Sequence, residues 1–245
     1  MHLDETPLFA PLKGLDAGSE AVLDDSELAH LKVFRLEAGD TLELVDGEGG
    51  RATARVVQPR RGLLVLESTV SREAERPAAP ALAMGILKGS ALEETFDHCA
   101  QTPLRAFQPL WCDFGQRARG GDAAEGLVRR LRAKARVALK QSRQLWATEI
   151  LEPTTPEKWL AAHADPILLL DERGERAPAV PASPWLLCGP EGGFSERELA
   201  LFEPRATLFS LGPVRLRAKT APILALGALA AFESGIRDQG LGIRD

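Results

Sequence analysis

The chain has 245 residues, 44% hydrophobic and 27% charged, with a net charge of −5, so it can bury a sizeable core as one large or two small domains. It contains no tyrosine and few other aromatics, which argues against a base-stacking sheet of the RNP type. Three cysteines without a Cys-x-x-Cys spacing and four histidines without ligand spacing point to reduced thiols and no metal site.

No apolar run reaches the length needed to span a bilayer. The start, Met1-His-Leu-Asp-Glu, is acidic and lacks the apolar core of a signal peptide, so the chain is expected in the cytoplasm. A net negative charge argues against nucleic acid as a partner, unless the positive residues are gathered in one place.

Residues 1–75 read as a small β-rich domain, a barrel or sandwich. Within it, Ser26–Arg35 has helical spacing and Thr41–Val45 alternates like a half-buried strand. Asp46-Gly-Glu-Gly-Gly50 is a hairpin turn, and Arg51–Gln58 and Leu63–Val70 continue as strands. Arg72–Pro80, polar with two prolines, is the linker candidate. From residue 80 to 245 strands alternate with helices. The strands are Ala81–Leu87, Ala106–Cys112, Ile167–Asp171, Trp185–Cys188 and Thr207–Leu211. The helices are Ala91–Gln101, Glu125–Glu149 and Thr220–Ser234. That alternation predicts an α/β domain with a parallel sheet covered on both faces.

Residues 117–143 gather nine cations, beginning with Arg117 and Arg119, against Asp122 and Glu125. On a helix, Arg129, Arg132, Arg136, Lys140 and Arg143 step by three or four residues and form one stripe. In an acidic protein such a stripe suits an RNA backbone; its plainer meaning is a solvated helix face.

The stretch Leu186–Ala221 carries the chemistry. Two apolar runs each end at a Gly-Pro, at Gly189-Pro190 and Gly212-Pro213, and each opens a loop leading to a helix. The first loop, Gly189–Phe194, has no lysine and no Gly-x-Gly-x-x-Gly spacing, so it is neither a P-loop nor a dinucleotide fingerprint. The double glycine Gly192-Gly193 suits close approach of a ligand to the backbone. Ser195-Glu-Arg-Glu198 is a capping box that fixes the next helix start.

Leu187-Cys-Gly-Pro-Glu-Gly-Gly-Phe-Ser195, with Leu211-Gly-Pro-Val-Arg-Leu-Arg217 and Thr220-Ala221, resembles the RsmE family of 16S ribosomal RNA uracil-N3 methyltransferases, within the SPOUT superfamily. His30-Leu-Lys-Val-Phe-Arg35, Ala38-Gly-Asp40 and Asp46-Gly47 are similar to the family's PUA-like RNA-binding domain, and Ala138-Leu-Lys-Gln-Ser-Arg143 to its Gln-Ser/Cys-x-Arg helix motif. The resemblance implies a PUA-like β-barrel followed by a SPOUT domain with a deep trefoil knot. It also implies a homodimer, S-adenosylmethionine as cofactor, and 16S rRNA or the small ribosomal subunit as partner. Carried over, the donor would lie among Leu187, Gly189, Pro190, Glu191, Gly192, Gly193, Leu211, Gly212, Leu216, Thr220 and Ala221. Arg217 is the candidate catalytic residue, stabilising a uracil anion or anchoring a phosphate. Arg129, Arg132, Arg136, Lys140 and Arg143 would hold RNA phosphates.

The chain departs from the family pattern in three places. Lys219 stands where Arg-x-Glu-Thr-Ala has its acid. His98–Arg105 replaces a Lys-x-x-Glu-Leu-Gly-Val segment, and the residues after Arg143 lack the usual proline. These leave open an RNA-binding relative without methyl transfer, and an unrelated small-molecule α/β enzyme.

Overall fold

A computed structural model describes residues 6–116, 120–176 and 180–233. The acidic start, Arg117, Arg119 and the expected helix end at Ser234 lie outside the described residues. The chain divides into two compact units, residues 1–77 with 135–147, and 78–134 with 148–245.

The first unit is built on β1 (Leu8–Phe9), β2 (Glu20–Val22), α1 (Asp25–Val33), β3 (Thr41–Val45), β4 (Gly50–Gln58), β5 (Leu63–Leu66) and β6 (Ser71–Arg72), with a 3-10 turn at Pro59–Arg61. Its six-stranded sheet runs β1-β3-β4-β5-β2, with β6 on β4; all pairings are antiparallel except β1 with β3. Period-two alternation sends Leu42, Leu44, Ala52, Ala54, Val56, Leu64 and Leu66 into one core. The expected linker begins later than Arg72. That residue lies in β6, and its guanidinium holds Asp46 at 2.6 Å and the Glu48 carbonyl at 2.7 Å.

The second unit carries β7 (Ala81–Gly85), α2 (Ala91–Cys99), β8 (Ala106–Leu110), α3 (Gly120–Gln141), β9 (Glu149–Ile150), α4 (Pro156–Ala162), β10 (Ile167–Glu175), β11 (Trp185–Cys188), α5 (Glu196–Phe202), β12 (Ala206–Phe209) and α6 (Ala221–Glu233). The last turns of α3, from Ala135, count with the first unit. The sheet order is β12-β10-β11-β7-β8-β9, every pairing parallel. Such strands are buried on both faces: all residues of β7, β8 and β11 are buried. Trp159 and Phe202, edge-to-face at 6.0 Å, and Trp185 fill the core beside α4 and α5.

α3 ends at Gln141, eight residues short of the sequence expectation. The amides of Arg143 and Gln144 donate to the carbonyls of Lys140 and Leu139, the two bonds of a Schellman cap. The left-handed position (φ 54°) is held by Arg143 and not by a glycine, so the sequence carries no stop signal there.

The basic stripe is corrected accordingly. Arg143 lies past the helix, outside its face. Lys140 is 4% exposed and holds Glu27, 1% exposed, at 2.6 Å. Arg136 pairs with Asp24 at 2.6 Å and lies over the Phe9 ring. Arg132 meets Glu152 at 3.5 Å, and only Arg129 and Arg132 of the five keep helical guanidiniums that are largely in solvent. Acids distant in sequence thus neutralise most of what reads as a ridge.

Candidate active site

Parallel strands feed their loops to one end of the sheet, and ligands of open α/β folds bind there. In the second unit the middle of β10 and the carboxyl ends of β11 and β12 enclose a cleft of about 370 Å³. Leu170–Arg173 line it from β10, Cys188, Gly189, Glu191 and Gly193 from the end of β11, and Phe209–Gly212 from the end of β12. Val214, Arg215, Leu216, Ala218 and Ala221 close it toward α6.

Of the expected donor residues, Gly189, Glu191, Gly193, Leu211, Gly212, Leu216 and Ala221 line this cleft; Leu187, Pro190, Gly192 and Thr220 do not. Leu187 is a buried strand residue. Pro190 faces Gly85, where a Cβ would come within 2.5 Å of the proline ring. Gly192 is dictated by protein packing: a Cβ there would lie 2.9 Å from that of Phe114. Gly193 (φ 75°) and Gly212 (φ 126°) supply left-handed backbone that other residues resist. The double glycine therefore answers two different local demands.

The β10 wall is not legible in the sequence, because Asp171-Glu-Arg173 carries no motif. There the Asp171 carboxyl accepts from the Arg173 guanidinium at 2.8–2.9 Å, which lowers its pKa against the opposing effect of burial. Arg173 also reaches Glu203 at 2.7 Å. The cleft thus carries Asp171, Glu172 and Arg173 on the β10 wall, with aliphatic side chains, main chain, Glu191 and Arg215 elsewhere. Buried Cys188, at its floor, has its thiol pushed up to about 12 by burial and is no nucleophile.

The glycine loop is braced from below. The capping box is present: Ser195 accepts from the Glu198 amide and Glu198 accepts from the Ser195 amide at 2.8 Å. The Glu198 side chain, wholly buried, also accepts from the Asp113 amide at 2.8 Å. Asp113 in turn receives the Ser195 hydroxyl at 2.6 Å and the Arg197 guanidinium at 3.0 and 3.1 Å. The turn after β8 is thereby fixed to the start of α5. Glu191 accepts from the Lys88 amide at 3.1 Å, a structural role.

Arg217, the expected catalytic residue, does not line the cleft. It borders an adjoining concavity with Glu191, Arg215, Leu216, Ala218 and Lys219. Its carbonyl accepts from the amides of Thr220 and Ala221, capping the start of α6. Among the described residues no carboxylate pairs with Arg215 or Arg217, whereas Lys219 holds Glu94 of α2 at 2.6 Å. Lys219 and Ser90 together lower the Glu94 pKa, the lysine contributing most.

A family model described as an RNA methyltransferase domain matches residues 74–230, and one described as an RNA methyltransferase PUA domain matches residues 23–67. The ribosomal RNA small subunit methyltransferase E of Synechocystis is 32% identical over 227 residues, covering 86% of this chain and 72% of that protein. The protein of the same name from Mycobacterium bovis is 33% identical over 241 residues, 89% of each chain. The chain belongs to the RsmE family.

Two solved structures share the fold of this RsmE family member. A methyltransferase from Legionella pneumophila, described in complex with SAM, superposes with a TM-score of 0.84 at 24% identity, over 93% of this chain and 97% of that one. A Neisseria gonorrhoeae methyltransferase E, described as bound to S-adenosylmethionine, gives 0.82 at 23% identity, over 94% and 98%. The cleft of this RsmE relative lies wholly within the region matched by the methyltransferase domain. No described helix is long and apolar enough to cross a membrane.

Proposed function

We propose that this chain transfers a methyl group from S-adenosylmethionine to N3 of a uracil in 16S ribosomal RNA. The observation that carries the proposal is the cleft between β10 and the ends of β11 and β12, inside the matched methyltransferase region. The relatives' names supply the ribosomal RNA, and the two structural neighbours are described with the donor.

The residues present fit that donor. An adenosyl group is neutral and flat, and needs an apolar slot with main-chain hydrogen bonding. Leu170, Leu211, Leu216 and Ala218 offer the first, and the loop backbones from Gly189 to Gly193 and from Ser210 to Gly212 the second. No lysine lines the cleft, so it is not a P-loop cradle, and Arg173, one of its two arginines, is engaged by Asp171 and Glu203. Asp171 is already engaged by Arg173, whereas Glu172, with no ion-pair partner among the described residues, suits a cationic ligand. When bound, the donor supplies a methyl group already activated on a sulfonium.

What remains for the chain is positioning and charge. The N3 proton of uracil must leave, so a cation that stabilises the developing anion lowers the barrier. Arg217 and Arg215 are the cations beside the cleft with no carboxylate partner among the described residues, and we assign that role to Arg217. Lys219 is engaged by Glu94, so its departure from the family pattern is answered by an acid on α2, and it does not line the cleft. That observation favours methyl transfer over an inactive RNA-binding relative. Arg129 and Arg132 are the α3 residues left to meet RNA phosphate; a homodimer, a knotted chain path and a cytoplasmic location complete the proposal.

Arg217→Ala tests the assignment. We expect donor affinity to stay within about twofold and kcat on small-subunit RNA to fall by roughly 100-fold or more. An unchanged kcat removes Arg217 from the chemistry.

A further inference from the structure

The described residues leave one aromatic side chain largely in solvent. Phe114, in the turn after β8, is 55% exposed, and it is the one aromatic among the exposed large hydrophobic residues. A single exposed apolar residue needs no special explanation by itself. The setting of Phe114 is what distinguishes it.

First, the ring is placed against the glycine loop of the cleft. The Phe114 Cβ approaches Gly192 so closely that the loop tolerates no side chain there. Second, the turn that carries it is immobilised from several directions. The preceding Asp113 is locked to Ser195, Arg197 and Glu198, the Gly115 amide donates to the Cys112 carbonyl at 3.1 Å, and the Gln116 amide donates to the Ile86 carbonyl at 2.9 Å. An aromatic face held rigid loses little entropy when a ligand stacks on it. Third, the residue next to Gly192 is Glu191, which borders the concavity that holds Arg215 and Arg217. One dipeptide therefore has an exposed aromatic ring on one side and, on the other, two guanidiniums without a carboxylate partner among the described residues.

Aromatic faces beside unpaired cations are the general pattern for holding single-stranded nucleic acid, the ring taking a base and the cations the backbone. We propose that Phe114 is a positioning residue on which a base of the RNA substrate stacks, while Arg215, with Arg217, receives the adjoining phosphate. This rests on the methyl-transfer reading for the identity of the RNA. It also qualifies what the composition implies: a chain poor in aromatics has no stacking sheet, and this arrangement needs one ring only.

The test compares Phe114→Ala, Phe114→Leu and Phe114→Trp in the full chain. The readouts are Kd for an unmodified small-subunit RNA by filter binding, KM and kcat for methyl transfer, Kd for S-adenosylmethionine by calorimetry, and mass by light scattering. For alanine we expect the RNA Kd and KM to rise roughly 5- to 100-fold. Leucine should restore little, because it returns bulk without a flat face, and tryptophan should restore wild-type values or better. Donor Kd and mass should not change. Unchanged RNA affinity in the alanine variant overturns the proposal. So does a weakened donor Kd with normal RNA binding, which would place the ring on the donor, or a fall in mass, which would place a second copy over it. If wild-type protein transfers no methyl group yet RNA affinity still follows the order Trp, Phe, Leu, Ala, the stacking role stands and the methyl-transfer reading fails.

Discussion

Glu198 is the side chain on which the geometry of the glycine loop most depends. It is fully buried, and its two oxygens accept separately from the amides of Asp113 and Ser195, both at 2.8 Å. Glu198→Gln keeps the shape but replaces one acceptor by a donor. One of the two amides then faces an NH2 group in a site without water access, losing its hydrogen bond and leaving a buried donor unsatisfied. That defect costs about 2 kcal/mol. For a chain of this size each kcal/mol lowers the melting midpoint by roughly 2–4 °C, so a fall of about 4–8 °C is expected. Because the lost bond holds either the turn bearing Phe114 or the start of α5, donor affinity should weaken as well. Differential scanning calorimetry and donor titration on the purified variant measure both. A midpoint within about 1 °C of wild type, with unchanged donor binding, would refute the claim that this carboxyl group braces the loop.

Lys140→Ala leaves the buried carboxyl of Glu27 without its 2.6 Å partner and should destabilise the first unit by about 3–5 kcal/mol, with Lys140→Met/Glu27→Leu recovering much of the loss in chemical denaturation. Lys219→Glu sets two carboxylates against each other at exposed positions, so its melting point should barely move, while the loop bearing Arg217 is displaced and kcat falls; Glu94→Lys/Lys219→Glu should return activity in the same assay. The His163 pKa is lowered from 6.5, chiefly by burial, with the Arg105 charge adding and Asp165 opposing. The folded state therefore resists protonation. Its stability should hold above about pH 6.5 and decline as pH falls below it, a slope that His163→Phe removes when melts are recorded between pH 7.5 and 5.5.

The parts of the site legible in the sequence are those made by glycine and by strand periodicity. Gly189, Gly193, Leu211, Gly212 and Leu216 are in the cleft because a strand end followed by Gly-Pro has few other uses in a parallel sheet. What the sequence hides are partners that meet only in the folded chain. Glu27 and Lys140 lie 113 positions apart, so a helix rich in cations reads as a ridge when one of its lysines is core. Gly192 reads as a ligand contact, and the sequence does not show that Phe114, on another loop, also constrains it. The β10 wall is invisible for a different reason: Asp171 and Arg173 are ordinary residues set by the irregularity between Leu170 and Glu175 in the pairing of β10 with β12. Arg143 in a left-handed cap shows the same limit at the level of backbone, since nothing in an arginine announces that conformation.

The central claim is methyl transfer to uracil N3. It is tested most directly by incubating the protein with tritiated S-adenosylmethionine and small-subunit ribosomal RNA, naked or in assembled particles, from a strain lacking this modification. The product nucleoside is then mapped. The expected result is stoichiometric incorporation at one uridine, recovered as 3-methyluridine and abolished by Arg217→Ala. Folded protein that binds the donor but labels neither form of the RNA, or that places the label on another atom, would contradict the claim.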